Sequence, residues 1–209
     1  MPESTPIAIS VRNVTFGYTR HDTVLDHVGF DVPHGQSLAV LGYNGVGKTT
    51  LFRIITGLLR PRSGEAIVNA DVIHGMRDVF MLSADGALAM QLSLRENISF
   101  RAKLFATRQD PSPIDLDQLD RLPLIEAFSL ADRLDTKVGE LSSGLRRRAD
   151  IAVGLLFHPH LVMLDEPTNA VDPATRDLLI ELSHQLSDSG RTLLTITHDL
   201  DYCWRIADR

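Results

Sequence analysis

Cysteine is nearly missing from this sequence. Cys203 stands alone among 209 residues, so no disulfide can form within the chain, which suits a reducing compartment. Long hydrophobic runs are missing too. The strongest apolar stretches, such as Ile151 to Phe157, fall far short of the ~20 residues a bilayer-spanning helix needs. The N-terminal residues lack the basic-then-apolar pattern of a secretory signal. These absences predict a chain that is soluble or reaches a membrane only through a partner. Positive charge is also short, with 21 Lys and Arg against 27 Asp and Glu and a net charge of −6. That balance argues against a nucleic-acid-binding surface as the main function. Internal repeats and low-complexity tracts are absent as well.

What is present is an ordinary apolar fraction, 44%, enough for a sizeable core. The length fits one domain, or one domain with a subdomain inserted. The chain is organised around Gly42-Tyr43-Asn44-Gly45-Val46-Gly47-Lys48-Thr49. An apolar run, Leu38 to Leu41, precedes it and reads as a buried strand. Leu51, Ile54, Ile55 and Leu58 follow at the i, i+3, i+4, i+7 spacing of a helix packed on one face. A glycine-rich turn between strand and helix that ends in Gly-Lys-Thr is a phosphate-binding loop. Gly42, Gly45 and Gly47 lack a Cβ, so the turn is free to use positive φ and bring its backbone close to an anion. The amides near Gly45 to Thr49 would form an anion nest at a helix N-terminus. Lys48 adds charge for β- and γ-phosphates, and the Thr49 hydroxyl suits Mg²⁺.

Around this loop the pattern alternates. Strands are predicted at Ile7 to Val11, with a second short piece within Asn13 to Tyr18, and at Val24 to Val32. Together these predict a small antiparallel sheet beside the main one. Further strands are predicted at Glu65 to Ile73, Asp78 to Leu82, Leu161 to Leu164 and Thr192 to Thr197. Residues 91–157 carry helical periodicity and no strand pattern, which predicts a helical insertion. Within it, Pro123 belongs at a first turn or a kink, because a proline inside a helix costs ~3 kcal/mol. Strands alternating with helices point to a parallel sheet covered on both faces, and such sheets bind ligands at the carboxyl ends of their strands.

Gly42, Asp165, Glu166 and His198 all fall at such ends. Asp165 is placed to hold Mg²⁺ beside Thr49. Glu166 is placed to orient a water in line with a γ-phosphate, since phosphoryl transfer needs positioning and charge neutralisation. His198, in Thr-His-Asp, suits a bond to the γ-phosphate or to Glu166. The other histidines show no metal-ligand spacing. Leu141-Ser142-Ser143-Gly144-Leu145 precedes the apolar stretch Ala149 to Phe157 and predicts an N-cap and a second anion site. Arg146, Arg147 and Arg148 follow, although a helix N-terminus prefers acids. They mark either a phosphate-rich neighbour or a solvated stripe. Tyr18 precedes the loop, and its ring suits either stacking on a flat base or packing at a strand end.

Taken together, these motifs resemble those of the ATP-binding subunits of ABC transporters, over nearly the whole chain. Gly42 to Thr49 resembles Walker A, and Leu161 to Glu166 resembles Walker B with its catalytic glutamate. Leu141 to Leu145 resembles the family signature, and Asn169 to Asp172 the D-loop. The resemblance implies a P-loop NTPase α/β fold over 1–209, with a central, mainly parallel sheet, an N-terminal antiparallel β-subdomain and an inserted α-helical subdomain near 91–157. It implies ATP and Mg²⁺ as cofactors, with contacts from Gly42, Asn44, Gly45, Val46, Gly47, Lys48, Thr49 and Thr50. It makes Tyr18 the adenine-stacking ring, and Glu166 and His198 the catalytic pair. It further implies a homodimer or heterodimer with a second ATP-binding subunit, whose nucleotide would meet Ser142, Ser143 and Gly144. Transmembrane permease subunits would be the other partners, with the chain peripheral on the cytoplasmic side of the cell membrane.

There are departures from the family pattern. Ser143 and Leu145 stand where a second glycine and a glutamine are usual, and Leu145 followed by arginines is similar to export-type subunits. The Q-loop glutamine falls at Ala84, which leaves neighbouring Asp85 as a substitute Mg²⁺ ligand. Family members continue past the histidine with further strands, whereas Asp199 to Arg209 follows here. A soluble ABC-type regulatory or mechanical ATPase, and a module that binds ATP without hydrolysing it, are the alternative readings.

Overall fold

A computed structural model describes residues 5–43, 45–83, 85–106 and 114–208. The first half of the chain supplies β1 (Ile7–Phe16), β2 (Leu25–Pro33), β3 (Ser37–Leu41), α1 (Lys48–Ile55), β4 (Ser63–Val68), β5 (Val79–Leu82) and α2 (Leu94–Phe105). The second supplies α3 (Pro123–Ala127), α4 (Ser143–Leu155), β6 (Leu161–Asp165), α5 (Pro173–Asp188), β7 (Thr192–Thr197) and α6 (Leu200–Ile206).

Two sheets result. One is antiparallel, in the order β2-β1-β4, and the other is parallel, in the order β3-β7-β6-β5. The parallel sheet has a core on each face, and the two-residue period of its strands divides its side chains between them. Phe80, Leu82, Val162, Leu164 and Leu193 join the core formed with the helices of the 94–155 region and α5. Leu161, Met163, Leu194 and Ile196 join the core formed with α1 and the antiparallel sheet. Every residue of β6 and β7 is buried, which is why those strands read as unbroken apolar or β-branched runs.

Several expectations change in detail. The N-terminal strand is one piece, not two, because β1 absorbs a register irregularity between Val11 and Val14. Asn13 takes φ 53 there, a left-handed value that asparagine tolerates better than most residues. The strand expected to reach Ile73 stops at Val68 and belongs to the antiparallel sheet. Asn69 ends it. Its Nδ2 donates to the carbonyl of Ile7 at 2.9 Å, and its Oδ1 accepts the amide of Asp71 at 3.0 Å, an Asx turn that competes with the ladder. Asp78 lies in a 3₁₀ turn before β5. α1 stops at Ile55, so Leu58 falls outside the helix and is 66% exposed rather than packed.

Between 94 and 155 the described residues contain helices and no strand, apart from an isolated bridge between Ser93 and Lys137. Pro123 opens α3, where its missing N–H would have had no partner anyway. α6 buries Tyr202 and is followed by a pair of bonds between Asp208 and Ser37 of β3, one to the carboxylate and one to the backbone. The Ser37 amide donates to Asp208 Oδ2 at 2.8 Å, and the Asp208 amide donates to the Ser37 carbonyl at 2.9 Å.

Candidate active site

The turn between β3 and α1 takes the shape its glycines allow. Gly45 has φ 85, and Gly47, the N-cap of α1, has φ 101. A Cβ on Gly47 would also lie 2.8 Å from Val24 Cγ1. Gly42 is not left-handed; a Cβ there would approach Val46 Cγ2 at 3.0 Å. Val46 is half exposed at the turn. Asn44 and Ala84 lie outside the described residues.

Lys48 is buried beneath the turn. Its Nζ donates to the carbonyls of Gly42 at 2.5 Å and Tyr43 at 3.0 Å, and it sits 3.6 Å from Glu166 Oε1. Thr49 Oγ1 donates to Asp165 Oδ2 at 2.7 Å. Thr50 is buried, with its hydroxyl 2.9 Å from that of Tyr18. The Tyr18 ring meets Phe16 edge-on at 5.1 Å yet stays 58% exposed. Tyr18 is therefore packed at a strand end and still largely exposed.

The adjacent parallel strands β6 and β7 bring the acids to the histidine. Glu166 has φ 50, and its amide donates to the Ile196 carbonyl at 2.8 Å. Its Oε2 accepts from His198 Nδ1 at 2.8 Å and from the His198 amide at 3.3 Å. Its Oε1 is buried without a hydrogen-bond partner among the described residues. Burial raises the Asp165 carboxyl above its ordinary range, opposed first by the Thr49 hydroxyl and reinforced by the nearby Glu166 charge.

Ser142 caps α4 by accepting the Leu145 amide at 3.3 Å. Ser142 and Ser143 are exposed, and a Cβ on Gly144 would lie 3.0 Å from the Ala170 carbonyl. Ser143 lines a cleft of about 300 Å³ together with Thr49, Asp85, Asp165, Glu166 and Asn169. The structure thus gathers both acids, Thr49, Asp85 and one signature serine around one space. Ser142, Gly144 and Tyr18 lie outside that lining.

The three arginines are not a solvated stripe. Arg146 donates to the Leu141 carbonyl at 3.2 Å, and Arg148 pairs with Asp172, the N-cap of α5. Arg147 is buried against backbone carbonyls near both acids. Asp150, also buried, escaped the sequence reading, although a lone acid inside the apolar stretch Ala149 to Phe157 was a visible signal. Burial raises its carboxyl, an effect opposed by the amides of Ala87 and Leu88 and by Arg147 and Arg101.

A phosphate loop between a parallel strand and its helix, with acids at the end of the next strand but one in the same sheet, defines the class of P-loop α/β NTPases. Within that class, the family model described as ABC transporter matches residues 25–169. The taurine import ATP-binding protein TauB of Roseobacter denitrificans is 34% identical over 191 residues, covering 90% of this chain and 69% of that protein. The Nod factor export ATP-binding protein I of Neorhizobium galegae is 32% identical over 209 residues, covering 97% of this chain and 58% of that protein. A solved ATP-binding subunit of an ABC transporter superposes with a TM-score of 0.82 at 29% identity, over 96% of this chain and 83% of that one. The chain belongs to the ABC transporter family, as an ATPase domain. It spans from 23% to 82% of the length of the curated relatives it matches. Among the described residues, no helix is long and apolar enough to cross a membrane.

Proposed function

We propose that this domain binds ATP with Mg²⁺ and hydrolyses it to drive transport through separate transmembrane subunits, from a peripheral position on the cytoplasmic face of the membrane. Glu166 carries the reading. One of its oxygens is tethered to His198, while the other is buried without a hydrogen bond among the described residues and lies 3.6 Å from the Lys48 ammonium. A carboxylate so held is available to accept a proton from a water aimed at a γ-phosphate, a role worth typically ~10²–10⁴-fold in rate. Lys48, now bonded to carbonyls of its own turn, would turn its ammonium to the phosphates. Tyr18 would offer its exposed ring to the adenine.

Thr49, Asp165 and Asp85 supply only oxygen donors, which is the set a hard cation takes. Bound there, Mg²⁺ would neutralise phosphate charge. The chain's own part is to hold those oxygens at the mouth of the turn. Exposed Ser142 and Ser143 and half-buried Gly144 at the start of α4 suit the nucleotide of a second copy or a related subunit, and residues 91–157 would be the helical subdomain that carries them. Export is the favoured direction, on Leu145 and the arginines after it. The taurine relative is named for import and the Nod factor relative for export, so neither name decides direction.

The test is Glu166→Gln. Turnover should fall by ~10²-fold or more, with ATP affinity kept and a nucleotide-trapped dimer seen by size exclusion. Undiminished turnover would remove Glu166 from catalysis. A monomer at saturating ATP would count against the paired arrangement. Recovery with a multi-span membrane protein separates the transport reading from a soluble regulatory ATPase.

A further inference from the structure

One face of α4 grips both loops that border the cleft. Arg147 is 8% exposed. Its Nη1 donates to the Ser83 carbonyl at 2.8 Å. Its Nη2 donates to the Asp165 carbonyl and, at 2.7 Å, to that of Glu166. Asp150, one turn further on, is 2% exposed, and its Oδ1 accepts the Ala87 amide at 2.7 Å. Residues three apart on a helix share a face, so a cation and an anion stand side by side there. Between them they hold the backbone at Ser83 and Ala87 and at Asp165 and Glu166.

Neither group serves packing in the ordinary sense. A buried guanidinium costs desolvation unless its donors are used and its charge is answered. Here Nη1 and Nη2 reach three carbonyls, which the single ammonium of a lysine would not match, while Nε has no hydrogen-bond partner among the described residues. The peptide it holds is the one where Glu166 takes φ 50, a conformation that costs about 1–3 kcal/mol and persists only when its surroundings enforce it. The amide that Asp150 holds lies two residues from Asp85, on the loop that follows β5.

We propose that Arg147 and Asp150 are positioning residues for hydrolysis. Arg147 sets the peptide that presents Glu166, and Asp150 sets the loop that presents Asp85. A small shift of α4, whose N-terminal serines would meet the second nucleotide, therefore moves both carboxylates together. This inference rests on the assignment of Glu166 as the hydrolytic base. Arg147 and Asp150 also line the cleft, and the part given to them is to position Glu166 and Asp85 rather than to bind nucleotide.

The experiment compares Arg147→Lys, Asp150→Asn and Glu166→Gln in the full chain. It measures kcat per nucleotide-binding site, the Kd of a fluorescent ATP analogue, and hydrogen exchange across residues 83–88. Misplacing a reacting group by 1 Å costs up to ~10²-fold, so Arg147→Lys and Asp150→Asn should each lower kcat per site by about ten-fold or more. The analogue Kd should stay within about two-fold. Asp150→Asn, which keeps the shape and an acceptor oxygen, should speed exchange of the loop even without nucleotide. If Glu166→Gln is inactive while both variants keep kcat per site, the positioning role is overturned and the assignment of Glu166 stands. If Glu166→Gln stays active, that assignment falls first. A variant that no longer binds the analogue also counts against the proposal, which gives these residues no part in binding.

Discussion

Lys48 shows how one side chain can be held in readiness. Its ammonium is satisfied by two carbonyls of its own turn and stands near Glu166, so a bound phosphate exchanges partners rather than creating a charge in a dry place. Two other residues tie stability to pH. The amide of Thr175, its hydroxyl and Arg148 favour the ionised form of Asp172 and hold its carboxyl down at about 2. The folded state therefore gains from ionised Asp172 above the ordinary carboxylate pKa of ~4, and loses that gain as pH falls through about 2. The urea midpoint should drop between pH 5 and 2, and Asp172→Asn should flatten that drop. Burial pushes the Tyr202 hydroxyl the other way, up to about 12. Its contribution is present below the unfolded value of ~10 and is lost as pH rises through about 12. Tyr202→Phe should flatten the alkaline limb, at the expense of the contact with Ser183 Oγ at 3.3 Å.

Among the elements, α4 does most to join the parts of the molecule. Its start presents the signature serines, its first turns grip the site loops, and its end packs on β5. Gly154 makes that last contact possible, since a Cβ there would lie 2.1 Å from Phe80 Cε2. Helix propensity favours alanine over glycine by up to ~1 kcal/mol. Overpacking a core costs typically ~1–3 kcal/mol, and Phe80 is 2% exposed with nowhere to go. Gly154→Ala should thus lower the melting temperature by several degrees, and adding Phe80→Leu should restore part of it. α4 was legible in sequence as an apolar stretch behind a serine cap. The task of Arg147 was not, because its partners are backbone carbonyls 18 to 64 residues away. β4 had the same difficulty: its strand character is local, but its place beside β1 depends on pairings 48 to 59 residues distant.

For the whole molecule, the central question is pairing. If each nucleotide lies between the phosphate loop of one copy and the signature of another, two defects on opposite half-sites should complement. Lys48→Ala removes the phosphate cation and Ser142→Arg blocks the signature. Each variant alone should show almost no turnover. Mixed and re-equilibrated, they should recover activity, because one of the two sites in a mixed dimer is intact. Phosphate release against mixing ratio would check this, and a flat, inactive profile would argue that each chain works alone.

Phosphate binding, the acids after a buried strand and the histidine at a strand end were all determined by the sequence itself. Each depends on a few contiguous residues whose backbone preferences and chemistry are local. Tertiary structure alone decided that Glu166 would be tethered to His198, that Tyr18 would lean on Thr50, and that Arg147 and Asp150 would hold the cleft's rims. Those contacts join different elements, and their distances exist only once the parallel sheet has set strand order and the two cores have fixed the helices against it.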